Sequence, residues 1–226
     1  MPSKLYVETF DDGPGGWEEH QKSLDIRDGT AITRSPWWVD GNHAPPGGGY
    51  LHLLYILYTS REGADRREAT AGKSRFIAGD YPKDWTNAKV TVRIKGELDV
   101  KGTQLVLLAQ AKVGTHHQNH VLTAQPIDVT PEWTEQTIVL TPDQAQWLSL
   151  GTRQDRTDYY GHGNIADVLH DLNADIIFVL HPVNVVPLQT IEGDIHVPFA
   201  GRDYDVDPEA LPNGHVMLDE VRIEFP

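Results

Sequence analysis

Lys89-Val90-Thr91-Val92-Arg93-Ile94-Lys95 is the stretch that decides the fold, because apolar Val90, Val92 and Ile94 alternate with polar Lys89, Thr91, Arg93 and Lys95. A period of two puts one set of side chains on a core face and the other in water, as in a half-buried β-strand. The carboxyl-terminal stretch repeats the pattern, with Val221, Ile223 and Phe225 on one side and Glu220, Arg222 and Glu224 on the other. The same reading predicts strands over Leu5 to Phe10, Ala31 to Arg34, Tyr50 to Thr59, Lys73 to Ala78, Gln104 to Lys112, His120 to Ala124, Glu135 to Leu140 and Asp175 to Leu180. Gly, Pro, Asn and Asp separate them, as residues that turn a chain between antiparallel strands do. Asn164 to Leu172 is the single helical segment, with Ile165, Val168, Leu169 and Leu172 on one face and Asn164 placed as its cap. About ten strands and one short helix predict an all-β, antiparallel jelly-roll β-sandwich with long loops. At 226 residues, 1–226 is read as a single domain.

The formal charge is −14, from 33 acidic and 19 basic residues, and it opposes phosphate backbones and anionic lipid, so nucleic acid and membrane are excluded as expected partners. Arg153, Arg156 and Arg202 are the residues that would make a local basic pocket. The absence of cysteine removes disulfides, thiolate chemistry and thiolate-held metals. No apolar leader follows Met1, so a cytoplasmic location is the expectation; a secreted chain already trimmed of its leader reads the same way.

Glu8-Thr9-Phe10-Asp11-Asp12-Gly13, then Gly16-Trp17, and the closing Leu218-Asp219-Glu220-Val221-Arg222-Ile223 resemble the first and last strands of galactose-binding-domain-like jelly rolls, a superfamily that includes many carbohydrate-binding modules. The resemblance covers about twenty residues at the two ends. It implies the sandwich fold, a sugar ligand and a structural calcium held by Asp11 and Asp219 at neighbouring first and last strands.

Three stretches stay outside regular elements: Gly13 to Gly29, Ser35 to Gly49 and Asn184 to Gly214. Long connections of this kind in a compact domain are frequently functional. In the second, Trp37 and Trp38 offer flat apolar faces for a sugar ring, while Asp40, Asn42 and His43 offer hydrogen bonds that orient it. His52 lies on the following strand, where its imidazole would titrate near neutrality beside His43. His116, His117 and His120 fall in a segment that reads as a turn, where imidazoles at i and i+3 can share a metal. Arg153, Arg156, Tyr159, Tyr160 and His162 gather cation, phenol and imidazole in one segment, the groups that acid–base work on a sugar acid or keto-sugar requires.

Three functions follow. A binding protein would stack a small saccharide or oligosaccharide on Trp37, Trp38, Tyr159 and Tyr160. An enzyme on the same ligand, a lyase, epimerase or hydrolase, would use His43, His52 or His162 with Tyr160 as acid and base. An assembly protein, a homo-oligomer, would dock the apolar residues of the Asn184 to Gly214 arm on a neighbouring subunit.

Overall fold

The computed structural model describes residues 4–20, 22–41, 48–61, 74–79 and 81–226. Thirteen strands, numbered along the chain, form two antiparallel sheets among these residues. The first sheet holds β1 (Leu5–Glu8), β3 (Asp25–Arg27), β4 (Thr30–Arg34), β7 (Lys89–Asp99), β10 (Thr134–Val139) and β13 (Asn213–Glu224). Its order is β10-β7-β13-β4-β3, and β1 also pairs with β13, so the first and last strands are neighbours as the resemblance implied. The second sheet holds β2 (Trp17–Glu18), β5 (Trp38–Asp40), β6 (Tyr50–Tyr58), β8 (Gln104–Val113), β9 (His116–Val121), β11 (Leu148–Ser149) and β12 (Asp175–Val183), in the order β11-β9-β8-β12-β6-β2 with β5 on β6. The expected β-sandwich is the observed one.

The core lies between the sheets, where the alternating residues of β7 and β13 meet Leu54, Leu57, Leu105, Leu107, Ile176 and Phe178 of the second sheet. Val90, Val92 and Ile94 are fully buried, while Thr91 on the opposite face bonds Thr137 across the pair at 2.8 Å. The second sheet carries apolar residues on its outer face too, which is why β6 is buried along nearly its whole length and reads as a continuous apolar run rather than an alternating one.

Two short helices are described, α1 (Arg75–Ala78) and α2 (Ile165–His170). The second fulfils the expectation, with Asn164 Oδ1 accepting the Ala166 amide at 3.0 Å. The first replaces a predicted strand, because Ser74 caps it through the Ile77 amide (3.1 Å) and Phe76 turns into the core. Gly16 lies beside this cap at φ +100°, and a Cβ there would stand 2.4 Å from the Ser74 Cα. Gly16→Ala is therefore expected to lower unfolding free energy by at least about 2 kcal/mol, measured by urea titration, through both backbone strain and collision. A loss under about 0.5 kcal/mol would show that the 13–17 loop relaxes freely.

The other departures are local. His116, His117 and His120 sit in strand β9 rather than in a turn, which instead falls at Gly114 (φ +62°). The 13–29 loop contributes β2 and β3. The 184–214 arm folds back on its own chain, with Val185, Ile191 and Val206 packed against Tyr50, Val183 and Tyr204, leaving Leu188 and Val197 exposed. Among the described residues no helix is long and apolar enough to cross a membrane.

Candidate functional site

Residues directly opposite across an antiparallel pair share a face. Tyr58 lies opposite Asp175, Asp175 opposite Gln110 and Gln110 opposite Asn119, so four strands present one polar row on the outer face of the second sheet. Glu18 of β2 sits one row along, opposite Ile56, and reaches the polar row through the Tyr58 hydroxyl. The adjoining rows are apolar: Ile56, Ile177, Leu108 and Val121, then Leu53, Val179 and Val106. Beyond them β5 places Trp38 opposite Leu53 and Asp40 opposite Leu51. The apolar residues of these rows are all buried, a second core layer that includes Leu150 of the following loop, and polar groups stand at both of its ends.

Within the polar row, the Tyr58 hydroxyl donates to Glu18 at 3.2 Å. Asp175 is buried, and that burial, reinforced by the Glu18 charge, pushes its carboxyl up to about 8. The Gln110 amide is satisfied with its nitrogen toward Asp175 (3.2 Å to each oxygen) and its oxygen toward His117 Nδ1 (3.2 Å), an orientation assigned from these partners. A carboxyl, an amide and an imidazole are thereby linked across three strands.

The 150–161 loop is annealed along β9: the His117 amide donates to the Tyr159 carbonyl (2.8 Å) and the Gly161 amide to the His117 carbonyl (3.0 Å). This fixes the Tyr159 ring against the His117 imidazole, centroids 4.2 Å apart and planes 11° from parallel, with the Arg156 guanidinium 3.9 Å from the Tyr159 centroid. Arg153 stands 5.1 Å from the Tyr160 ring and 3.9 Å from the Asp40 carboxylate, and both members of that pair keep only 15% side-chain exposure. Burial on its own would lower the Arg153 pKa, but Asp40, Tyr160 and Asp155 outweigh it and the guanidinium stays charged. Tyr160 is raised by burial, with Arg153 pulling the other way. The loop therefore brings Arg153 to Asp40 of β5 and sets two phenol rings beside the sheet.

Of the residues expected from the sequence, Asp40, Trp38, Arg153, Arg156, Tyr159 and Tyr160 come to this side of the molecule, with Trp38 half-buried 5.0 Å from the His20 ring. Asn42 and His43 lie outside the described residues. Trp37 does not join them: it is a core side chain, 4% exposed, whose indole donates to Thr33 Oγ1 at 2.8 Å, because neighbouring residues of an extended segment point to opposite faces. His52 is buried beside Trp37 rather than at a rim, and burial pushes its imidazole down to about 4. His162 is exposed, with its ring against Gly151 and near enough to buried His120 to depress that imidazole further. Arg202 stacks on Phe199 (3.7 Å) and pairs with Asp203.

Asp219 forms an ion pair with Arg93, and exposed Asp11 accepts from Thr9 at 2.8 Å. Among the described residues no three His, Asp or Glu side chains converge as metal ligands.

Sequence reasoning passed over Glu18, Tyr58, Gln110 and Asp175. The available signal was Asp175 itself, a carboxylate opening the apolar run Ile176 to Leu180.

No protein-family model matches the chain, and no curated protein matches it. Among solved structures, a search aligns it with the module CtCBM11 (10% identity, TM-score 0.39, 99% of this chain and 96% of that one). It also aligns with the L4b domain of human laminin alpha-2 (8%, TM-score 0.38, 98% of each) and the Crh5 transglycosylase in complex with NAG (13%, TM-score 0.35, 100% and 85%). The chain is an antiparallel β-sandwich by its own sheet pairing.

Proposed function

We propose that the protein binds a saccharide where the 150–161 loop meets β5, at the edge of the second sheet's outer face. The observation that carries this reading is the enclosed Arg153–Asp40 pair beside the Tyr160 ring. A sugar needs flat apolar faces for its C–H surfaces and fixed, charged donors and acceptors for its hydroxyls. Half-buried Tyr160 and Trp38 are the candidate faces and the Arg153–Asp40 pair the charged groups, while Tyr159, sandwiched between His117 and Arg156, holds the loop in place. The surface charge of −14 suits a neutral ligand better than a polyanion.

The test is calorimetric titration with a panel of neutral oligosaccharides. Tyr160→Ala and Arg153→Met are each expected to weaken binding by about tenfold or more, which is about 1.4 kcal/mol. A panel without a binder, or binding indifferent to both substitutions, would remove this site from consideration.

The enzyme reading is favoured by one observation, the neutral Asp175 carboxyl beside Glu18, a pairing suited to general acid–base work. Both side chains are enclosed, at 7% and 4% exposure, which favours binding without turnover. Release of reducing sugar by the parent and its loss in Asp175→Asn would reverse that preference.

A further inference from the structure

A cavity of about 290 Å³ opens at the end of the sandwich, between the exit of β6, α1 and the Tyr81–Trp85 segment. One wall is aromatic: the Phe76 and Tyr81 rings stack at 5.0 Å and 18°, with Trp85 5.5 Å behind Phe76. Gly79 permits this wall, because a Cβ there would come 2.2 Å from the Tyr81 ring. The polar groups are Thr59, Ser60, Arg61, Lys83 and Asn173. Thr59 and Ser60 donate their hydroxyls to the Leu172 and Asn173 carbonyls, which leaves the two cations as the strong charged donors of the rim.

The charge at this rim runs against the molecule. In a chain with 33 acidic and 19 basic residues, the described lining holds two cations and no carboxylate. Neither Arg61 nor Lys83 is ion-paired with a described residue, and both are exposed. At the floor, the fully buried Trp85 indole N–H has no acceptor among the described residues. Cations with no ion-pair partner among the described residues, set over an aromatic wall, are complementary to a ring that carries negative charge. The volume lies at the lower end of small-molecule pockets, about 300 Å³, which limits the ligand to one ring.

We propose that this cavity is a second binding site, distinct from the sheet face, for a small single-ring carboxylate of the uronic acid or aromatic acid class. Arg61 and Lys83 take the carboxylate while Tyr81 and Phe76 contact the ring. The cavity is formed by other residues than the saccharide face, so the two sites stand or fall separately.

The experiment measures the melting temperature of the full chain with glucuronate and benzoate, against glucose and benzyl alcohol as uncharged counterparts and inorganic phosphate as a ringless anion. At about 100-fold excess over Kd, one of the two carboxylates is expected to raise Tm by roughly 5 °C or more. The uncharged compounds and phosphate are expected to leave it in place. Arg61→Gln/Lys83→Gln should abolish the rise while melting by itself like the parent, since both side chains are exposed. Arg153→Met should keep the rise, which separates this cavity from the site between the 150–161 loop and β5. The proposal is overturned by no rise with either carboxylate, by an equal rise with the uncharged compounds or phosphate, or by a rise that persists in the double variant.

Discussion

Above about pH 8 the Asp175→Asn variant is expected to melt well above the parent, while below about pH 4 the two melt together. Burial, and then the charge of Glu18, raise the Asp175 carboxyl from 3.8 to about 8 in the folded chain. Between those values the folded state keeps a proton that the unfolded state has released. Stability from this group is therefore complete below the unfolded value and is lost as pH rises through the folded one. At about 1.4 kcal/mol per pH unit the full cost is on the order of 5 kcal/mol, an upper bound because the site can relax or admit water. Asparagine keeps the shape and can bond the Gln110 amide without ever ionising. A Tm difference of roughly 10 °C at high pH is the corresponding shift for a chain of this size. A difference that did not change with pH would mean that Asp175 is ionised when folded.

The histidines set the opposite limit. Burial pushes His52 and His120 from 6.5 down to about 4, so the folded state binds fewer protons than the unfolded one across that interval. Their stabilisation is present above 6.5 and is lost as pH falls toward 4. Since two imidazoles outweigh one carboxyl between 4 and 6.5, and only the carboxyl acts above, the parent should be most stable near about pH 6.5.

Glu8→Ala is expected to cost about 3–5 kcal/mol. Glu8 is 1% exposed and accepts from the Phe10 amide (2.9 Å), the Tyr6 hydroxyl (3.3 Å) and the Arg75 guanidinium, which ties β1 to α1. The Phe10 amide bond matters beyond its own energy, because Phe10 sits at φ +61°, a conformation a bulky residue adopts only when its surroundings hold it there. Truncation leaves that amide, the Tyr6 hydroxyl and a half-buried guanidinium without their shared partner. Denaturant unfolding of Glu8→Ala, Arg75→Met and the double variant should show strong coupling, the double costing much less than the sum of the singles. A loss under about 1 kcal/mol for Glu8→Ala would mean that solvent replaces the carboxylate.

Local pattern fixed much of this molecule. The two-residue period of Lys89 to Lys95 and of Glu220 to Phe225 is a property of neighbouring residues, and both stretches became half-buried strands. The same is true of the Asn164 cap and the apolar face of α2. Candidate rings and cations at 153–160 were visible because unusual residues cluster there in sequence. Trp37 and Trp38 look alike as a pair, yet one entered the core and the other the outer face, since the register of β5 on β6 assigns the faces.

What the sequence by itself determined, then, is the sandwich and the composition of its loops, because periodicity and turn chemistry act over a few residues. The tertiary structure alone decided which polar residues meet. Tyr58, Gln110 and Asp175 come from three strands that cross-strand register brings to one row, and Glu18 reaches it from a fourth through the Tyr58 hydroxyl. The protonation of Asp175 follows from that meeting, because burial and a neighbouring charge are supplied by distant parts of the chain.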